Sequence, residues 1–330
     1  MKRRAQLSTA GPKSPAPDQV ICTGCLESFR FMLHHDSKTA PLVKIKANGS
    51  AAALVANAFP LPVGPLDMGG SCDATTAACV DCYAANLENL YGAFARGAAA
   101  NLAALVHLKE CAGQGAVVAA LVACVRRSEH LQRAHGVTAP SFRWHSGGDV
   151  FASWYGRAIR AAVIETPGVD HWIYTRDTGK VSSLLPAPEN LRVFLSADSD
   201  NYRKVARAAA RHGLPVALLA DDAPAAVALW ARIIAAAPGV SQAVTCPATD
   251  KYVRDVHQVA PHVTGLDRRR SSAVPGGLGM GACIACRLCL PGGLNRSVTF
   301  LLHGGKARPG APGRLGAAVS VRARRAAVAL

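Results

Sequence analysis

The chain is short of acid, of aromatic rings and of long apolar runs. Aspartate and glutamate number 21 against 37 lysines and arginines, a formal charge of +16 over 330 residues. That imbalance predicts attraction to a polyanion such as nucleic acid. Aromatics make up only 5%, and they are not interleaved with the basic residues, so the stacking platform of a strand-binding protein is missing. No uninterrupted apolar run reaches the roughly 18 residues of a membrane span. The basic start Met1-Lys2-Arg3-Arg4 leads into a Ser/Pro-rich polar stretch, not an apolar leader. The expectation is a cytoplasmic chain with no membrane contact. The G-x-G-x-x-G turn of dinucleotide sites is also absent.

What is present is cysteine. Hydrophobic residues make up 50% and charged residues 18%, so most of the chain should be globular. Eleven cysteines fall in clusters, and in a reducing compartment clustered thiols point to metal, not disulfides. The densest stretch is Ser71-Cys72-Asp73-Ala74-Thr75-Thr76-Ala77-Ala78-Cys79-Val80-Asp81-Cys82-Tyr83-Ala84. Three soft thiolates in one loop suit an iron–sulfur cluster. Three ligands leave one iron of a four-iron cluster open to a small molecule. The alternative is a zinc loop that borrows a fourth ligand.

Residues 1–37 read as a disordered basic N-terminus with a small C-x-x-C segment, Cys22-Thr23-Gly24-Cys25. His34 and His35 could complete a small zinc site there; the plainer reading is two cysteines without a shared metal. Cys111 and Cys124, isolated in helical material, read as buried small hydrophobes.

Residues 38–250 carry an alternation of strands and helices. Ala53-Leu54-Val55 is a weak first strand. Tyr83 to about Glu110 and Val117 to about His135 have helical periodicity. Strand-like runs then end in polar groups: Ser141–Trp144 before His145-Ser146-Gly147-Gly148-Asp149, His171–Thr175 before Arg176-Asp177, Leu191–Leu195 before Ser196-Ala197-Asp198, Pro215–Leu219 before Asp221-Asp222, and Ser241–Thr245 before Cys246-Pro247. Helical runs separate most of them. This rhythm implies βαβ units and a parallel sheet. Chemistry concentrated at the strand ends suits a barrel. The count suits a partial (β/α)6 TIM-like barrel, with a doubly wound sheet as the rival.

Residues 251–303 form a cysteine-rich extension. Arg268-Arg269-Arg270 reads as a solvated surface run. Cys283, Cys286 and Cys289 follow the C-x-x-C-x-x-C spacing of bacterial ferredoxins. Cys246, followed by Pro247, is the expected fourth ligand of an iron–sulfur site, with zinc as the alternative. Residues 304–330 read as a disordered basic tail.

These residues resemble the radical S-adenosylmethionine (SAM) superfamily: a three-cysteine loop, then a helix, then a strand ending in Gly147, Gly148 and Asp149. The resemblance implies a 4Fe-4S cluster on Cys72, Cys79 and Cys82, and SAM held at its open iron. It also implies one-electron cleavage of SAM to a 5′-deoxyadenosyl radical. Gly147, Gly148, Asp149 and Ser196 would contact the cofactor. His145, Asp149, Tyr174, Arg176 and Asp198 would work on an unknown substrate, with Asp222 at the mouth. A ferredoxin or flavodoxin would supply the electron. The sequence departs in its six-then-two cysteine spacing, where three-then-two is usual, in Asp81 before the last cysteine, and in Asp149 for glutamate. The span from about Lys38 to Gly305 also resembles a phage-encoded family, the gene product 88 family. That likeness rests on Cys79-x-x-Cys82-Tyr83-Ala84, Arg143-Trp144-His145 with Gly148-Asp149, Tyr174-Thr175, Cys246-Pro247 and the final cysteine run. Three functions therefore compete: an iron–sulfur enzyme, a cluster- or zinc-stabilised nucleic-acid binder without catalysis, and a redox sensor.

Overall fold

The computed structural model describes residues 19–46, 51–79, 82–241, 243–246, 278–279, 282–293 and 296–301. The arginine run at 268–270 and both basic tails lie outside them. The strands are β1 (Gln19–Ile21), β2 (Ser28–Arg30), β3 (Val43–Ile45), β4 (Ala51–Ala53), β5 (Ala58–Phe59), β6 (Ser141–Trp144), β7 (Asp170–Thr175), β8 (Leu191–Ala197), β9 (Val216–Ala220), β10 (Ala243–Thr245), β11 (Leu278–Gly279) and β12 (Ser297–Leu301). The helices are α1 (Tyr83–Leu90), α2 (Gly92–Ala134), α3 (Ser153–Ile164), α4 (Tyr202–His212), α5 (Ala223–Ala236) and the short α6 (Ala282–Cys286).

Seven strands form one sheet in the order β5-β6-β7-β8-β9-β12-β10, and every neighbouring pair is parallel. From β5 to β9 each strand adds on the same side of the last, without the reversal of a doubly wound sheet. Crossovers of one hand in that order lay the helices on one face, and residues of α2, α3, α4 and α5 share one core. Alternation along the strands then gives each face its own residues. Phe142, Trp144, Ile173, Val193, Leu195 and Leu218 are buried in the core that also takes residues of α2, α3, α4 and α5. Trp172, Tyr174 and Phe194 belong to smaller clusters with Cys246, Ile284, Cys289 and Leu290. The edge strands β5 and β10 do not pair with each other, so no barrel closes.

Two strand assignments need correction. Ala53-Leu54-Val55 is not the first strand of the main sheet: Ala53 ends β4, in a separate sheet of order β11-β3-β4. The first main strand is the two-residue β5, cut short by Pro60, which has no N–H to give a ladder. The sheet also has β12, slotted between β9 and β10, so it has one strand more than six.

α2 is 43 residues long and broken at Gly113, whose φ of 82° only glycine takes freely. This break separates the two helical periodicities of the sequence. Among the described residues α2 is the one helix long and apolar enough to cross a membrane. Its Leu105, Leu108, Leu121 and Val125 are buried in the main core. Asn101 on α2 accepts from the Met32 N–H at 2.8 Å and donates to the carbonyls of Met32 and Pro60, both at 2.9 Å. The β1–β2 segment is thereby tied to α2, and Cys22, Phe31 and Leu33 share the main core.

Candidate functional site

The tri-cysteine loop hangs over the carboxyl ends of β5 to β8 and is tied down along its length. Ser71 Oγ donates to the Pro62 carbonyl at 2.7 Å and accepts from the Asp149 N–H at 3.1 Å. The Cys72 N–H reaches the Gly64 carbonyl at 2.9 Å. Thr76 Oγ1 donates to Asp198 at 2.6 Å and accepts from Arg176 at 2.9 Å. Arg176 and Asp198 also form an ion pair. Lys180 bridges Asp73, at 2.9 Å, and Asp177.

Beneath the loop is a cavity of about 780 Å³, within the size range of cofactor sites. Cys72, Cys79 and Cys82 line it, together with His145, Gly147, Gly148, Asp149, Tyr174, Arg176, Ser196 and Asp198. Every strand-end residue put forward from the sequence for catalysis or cofactor binding is in this wall, with one displacement. Asp222 is not at the mouth: it caps α5, accepting from the Ala225 N–H at 2.8 Å, and Asp221 lines the cavity instead. Arg143, Ser146 and Arg232 also line it. They had no assigned role at the site from the sequence alone, although Arg143 belongs to the Arg143-Trp144-His145 pattern and Ser146 follows His145.

Burial dominates the electrostatics. Desolvation pushes the Cys72 thiol well up, and the charges of Asp149, Cys82 and Cys79 add to it. Burial also raises the Asp149 carboxyl, against hydrogen bonds that favour its charge. Those bonds come from the Thr175 side chain and from the N–H groups of Arg176, at 2.8 Å, and Val150, at 2.7 Å. Asp149 therefore pins the β6 turn to the end of β7, while α3 starts from Ala152 without a side-chain cap. Asp198 is pulled down: its own desolvation opposes this, but Thr76, Arg176 and the N–H groups of Asp200 and Asn201 outweigh it. His145 is held neutral, lowered to about 3 by burial and then by Arg143. Its φ is 62°, a left-handed conformation that costs a non-glycine residue energy. His145 Nε2 meets the Tyr155 hydroxyl at 3.1 Å. His145 Nδ1 and Ser146 Oγ are buried with no hydrogen-bond partner among the described residues. Buried polar atoms left without partners are uncommon and call for an explanation, such as a ligand.

A second thiol group sits against the sheet face that carries Trp172, Tyr174 and Phe194. Cys246 follows β10, Cys283 and Cys286 lie on α6, and Cys289 follows it. The four thiols are close enough to act on one another electrostatically. Burial first, then the other thiols, raise Cys283 to about 12, and Cys286 goes to about 11 by burial and Cys246, against a hydrogen bond from Leu288. Cys289 is pushed higher still by burial, although a hydrogen bond with Tyr174 opposes the shift. Tyr174 thus stands between this group and the cavity it also lines.

The third group was not recognised from the sequence. Cys22, Cys25, His107 and Cys111 place their four ligand atoms within 4.8 Å of one another. His34 and His35 are not the partners of the C-x-x-C pair: the His34 ring packs against Phe94 at 4.7 Å. Cys111 is not a buried hydrophobe but exposed, whereas Cys124 is buried in the core. Desolvation pushes the Cys22 thiol up, but the N–H groups of Cys25 and Gly24 and the neighbouring thiols bring it down to about 6. A thiol so stabilised as thiolate is suited to bind metal. The missed signal was His107-x-x-x-Cys111, two ligand types one helical turn apart on one face. All eleven cysteines are free thiols.

Comparison with curated proteins and with solved structures returned no match. The profile of one family, described as gene product 88, matches residues 30–292, most of the chain and all of the cavity wall. The chain belongs to the gene product 88 family.

Proposed function

We propose that the protein is an iron–sulfur enzyme of radical SAM type, acting in a reducing, cytoplasmic setting. Cys72, Cys79 and Cys82 would hold a four-iron cluster beside the cavity, and Cys246, Cys283, Cys286 and Cys289 would hold a second centre. The observation that carries this reading is that three thiols and the polar strand-end groups share the wall of one cavity. The donor set fits: soft thiolates, and three cavity-lining residues, Arg143, His145 and Ser146, each with a buried polar atom that has no partner among the described residues.

A cluster held there would supply one electron to a sulfonium cofactor. The chain's own residues bind, orient and exclude water. Gly147 and Gly148 let Leu61, Ser71 and Ala84 pack closely onto the turn that lines the cavity. After the N–H groups of Val150 and Arg176 and the Thr175 hydroxyl, the Asp149 carboxylate still has acceptor capacity for an ammonium group. Arg176 and Asp198 hold the loop over the cavity. The singly stepped strand order supports the reading of the sheet as an opened, partial barrel with its site at the carboxyl ends. A ferredoxin or flavodoxin is the proposed reductant.

The test is anaerobic reconstitution with iron and sulfide counted, followed by SAM and dithionite. The expected product is 5′-deoxyadenosine, lost in Asp149→Ala while the iron content is kept. A protein that loads iron yet makes none of this product contradicts the catalytic reading.

A further inference from the structure

The geometry points to a structural zinc ion bound by Cys22, Cys25, His107 and Cys111. This site is separate from the cavity and does not depend on the function proposed for it. Cys22 and Cys25 lie in and beside the turn between β1 and β2. His107 and Cys111 are four residues apart on α2 and so project from the same side of it.

The four ligand atoms lie within 4.8 Å of one another, and Cys25 Sγ is 3.2 Å from His107 Nε2. Tetrahedral zinc, with its ordinary bonds to sulfur and nitrogen, sets neighbouring ligand atoms about 3.6–3.8 Å apart. The side chains therefore need only small movements to close on one ion. Three thiolates and an imidazole fill all four positions, the arrangement of a structural site and not a catalytic one.

The turn is also built for close approach to the helix. A Cβ on Gly24 would sit 2.5 Å from the Cys111 carbonyl oxygen and 2.8 Å from its Sγ. The Phe29 ring lies against His107, with centroids 4.9 Å apart. Cys111 is two residues before the helix break at Gly113. The ion would clip the β1–β2 turn to α2 at the end of its first helical stretch, and its binding energy would count toward folding.

The experiment uses the full-length protein purified without added metal. Zinc per chain is measured, and its shell is read by X-ray absorption. The expected result is one zinc with three sulfurs and one nitrogen. Cys111→Ser should lose that zinc and keep the iron content. Because Cys111→Ser also removes folding energy, His107→Cys provides the control: it should keep zinc and shift the shell to four sulfurs. Three results would overturn the proposal: no zinc in the wild type, an all-sulfur wild-type shell, or a nitrogen contribution unchanged in His107→Cys.

Discussion

The Cys22/Cys25/His107/Cys111 group and the Cys72/Cys79/Cys82 group use the same chemistry in opposite surroundings. The first is wedged between a tight turn and a helix, with its ligand atoms drawn to one point. The second is spread around the wall of a cavity, among arginines, aspartates and unsatisfied polar atoms. The difference teaches that thiol count alone does not assign a role. A closed set links distant segments and should act through folding, whereas an open set leaves room for a ligand and should act through chemistry.

The sharpest way to break this comparison is a pair of substitutions. Cys111→Ser should destabilise the protein by about 4 kcal/mol or more, the range reserved for lost metal sites. Cys79→Ala should change stability by less than about 1 kcal/mol and abolish SAM cleavage. Denaturant midpoints of both variants test this, and equal losses would erase the distinction.

Gly148→Ala should come next, at about 3 kcal/mol. Gly148 has φ 81°, and an added Cβ would meet Ser71 Oγ at 2.2 Å and Leu61 Cβ at 2.6 Å. Left-handed strain of about 1–2 kcal/mol adds to overpacking of similar size. The same unfolding assay measures it, and a neutral substitution would mean that the turn under the thiol loop is loose.

The pH dependence is small near neutrality, grows as pH falls and has a definite sign. His145 and His171 are both lowered to about 3, chiefly by burial. Unfolded histidine titrates near 6.5. A depressed folded value means that the unfolded state binds more protons, so the stabilisation is present above pH 6.5 and is lost as pH falls toward 3. Each histidine should contribute a slope approaching about 1.4 kcal/mol per pH unit within that window. Urea titrations at several pH values test the slope, and a flat profile would place both rings in contact with water. His145→Asn should remove only the cavity's share.

Lys180→Ala should have the least effect. Its bond to Asp73, at 2.9 Å, ties the thiol loop to the end of β7, but Asp73 is 55% exposed. Such pairs contribute about 1 kcal/mol or less and weaken in salt. A salt-independent loss would show a stronger anchor.

Much of this architecture was legible because it is local. Strands such as Ser141–Trp144 announce themselves by composition, and the polar residues after them fall at one sheet edge because parallel strands end together. The α2 break at Gly113 was visible as a gap between two periodicities. What was not legible depends on distant pairing. β5 has two residues and a following proline, too little pattern to read. β12 finds its place between β9 and β10 through tertiary pairing alone. Cys25 and His107 are 82 positions apart, so neither predicts the other without the fold.

The most direct test of the central claim is the EPR spectrum of the reduced, anaerobically reconstituted protein before and after SAM is added. The account predicts a four-iron signal that depends on Cys72, Cys79 and Cys82 and changes shape when SAM binds at the open iron. A spectrum with no component lost in Cys79→Ala and none altered by SAM would place all the iron elsewhere and contradict the assignment of the cavity.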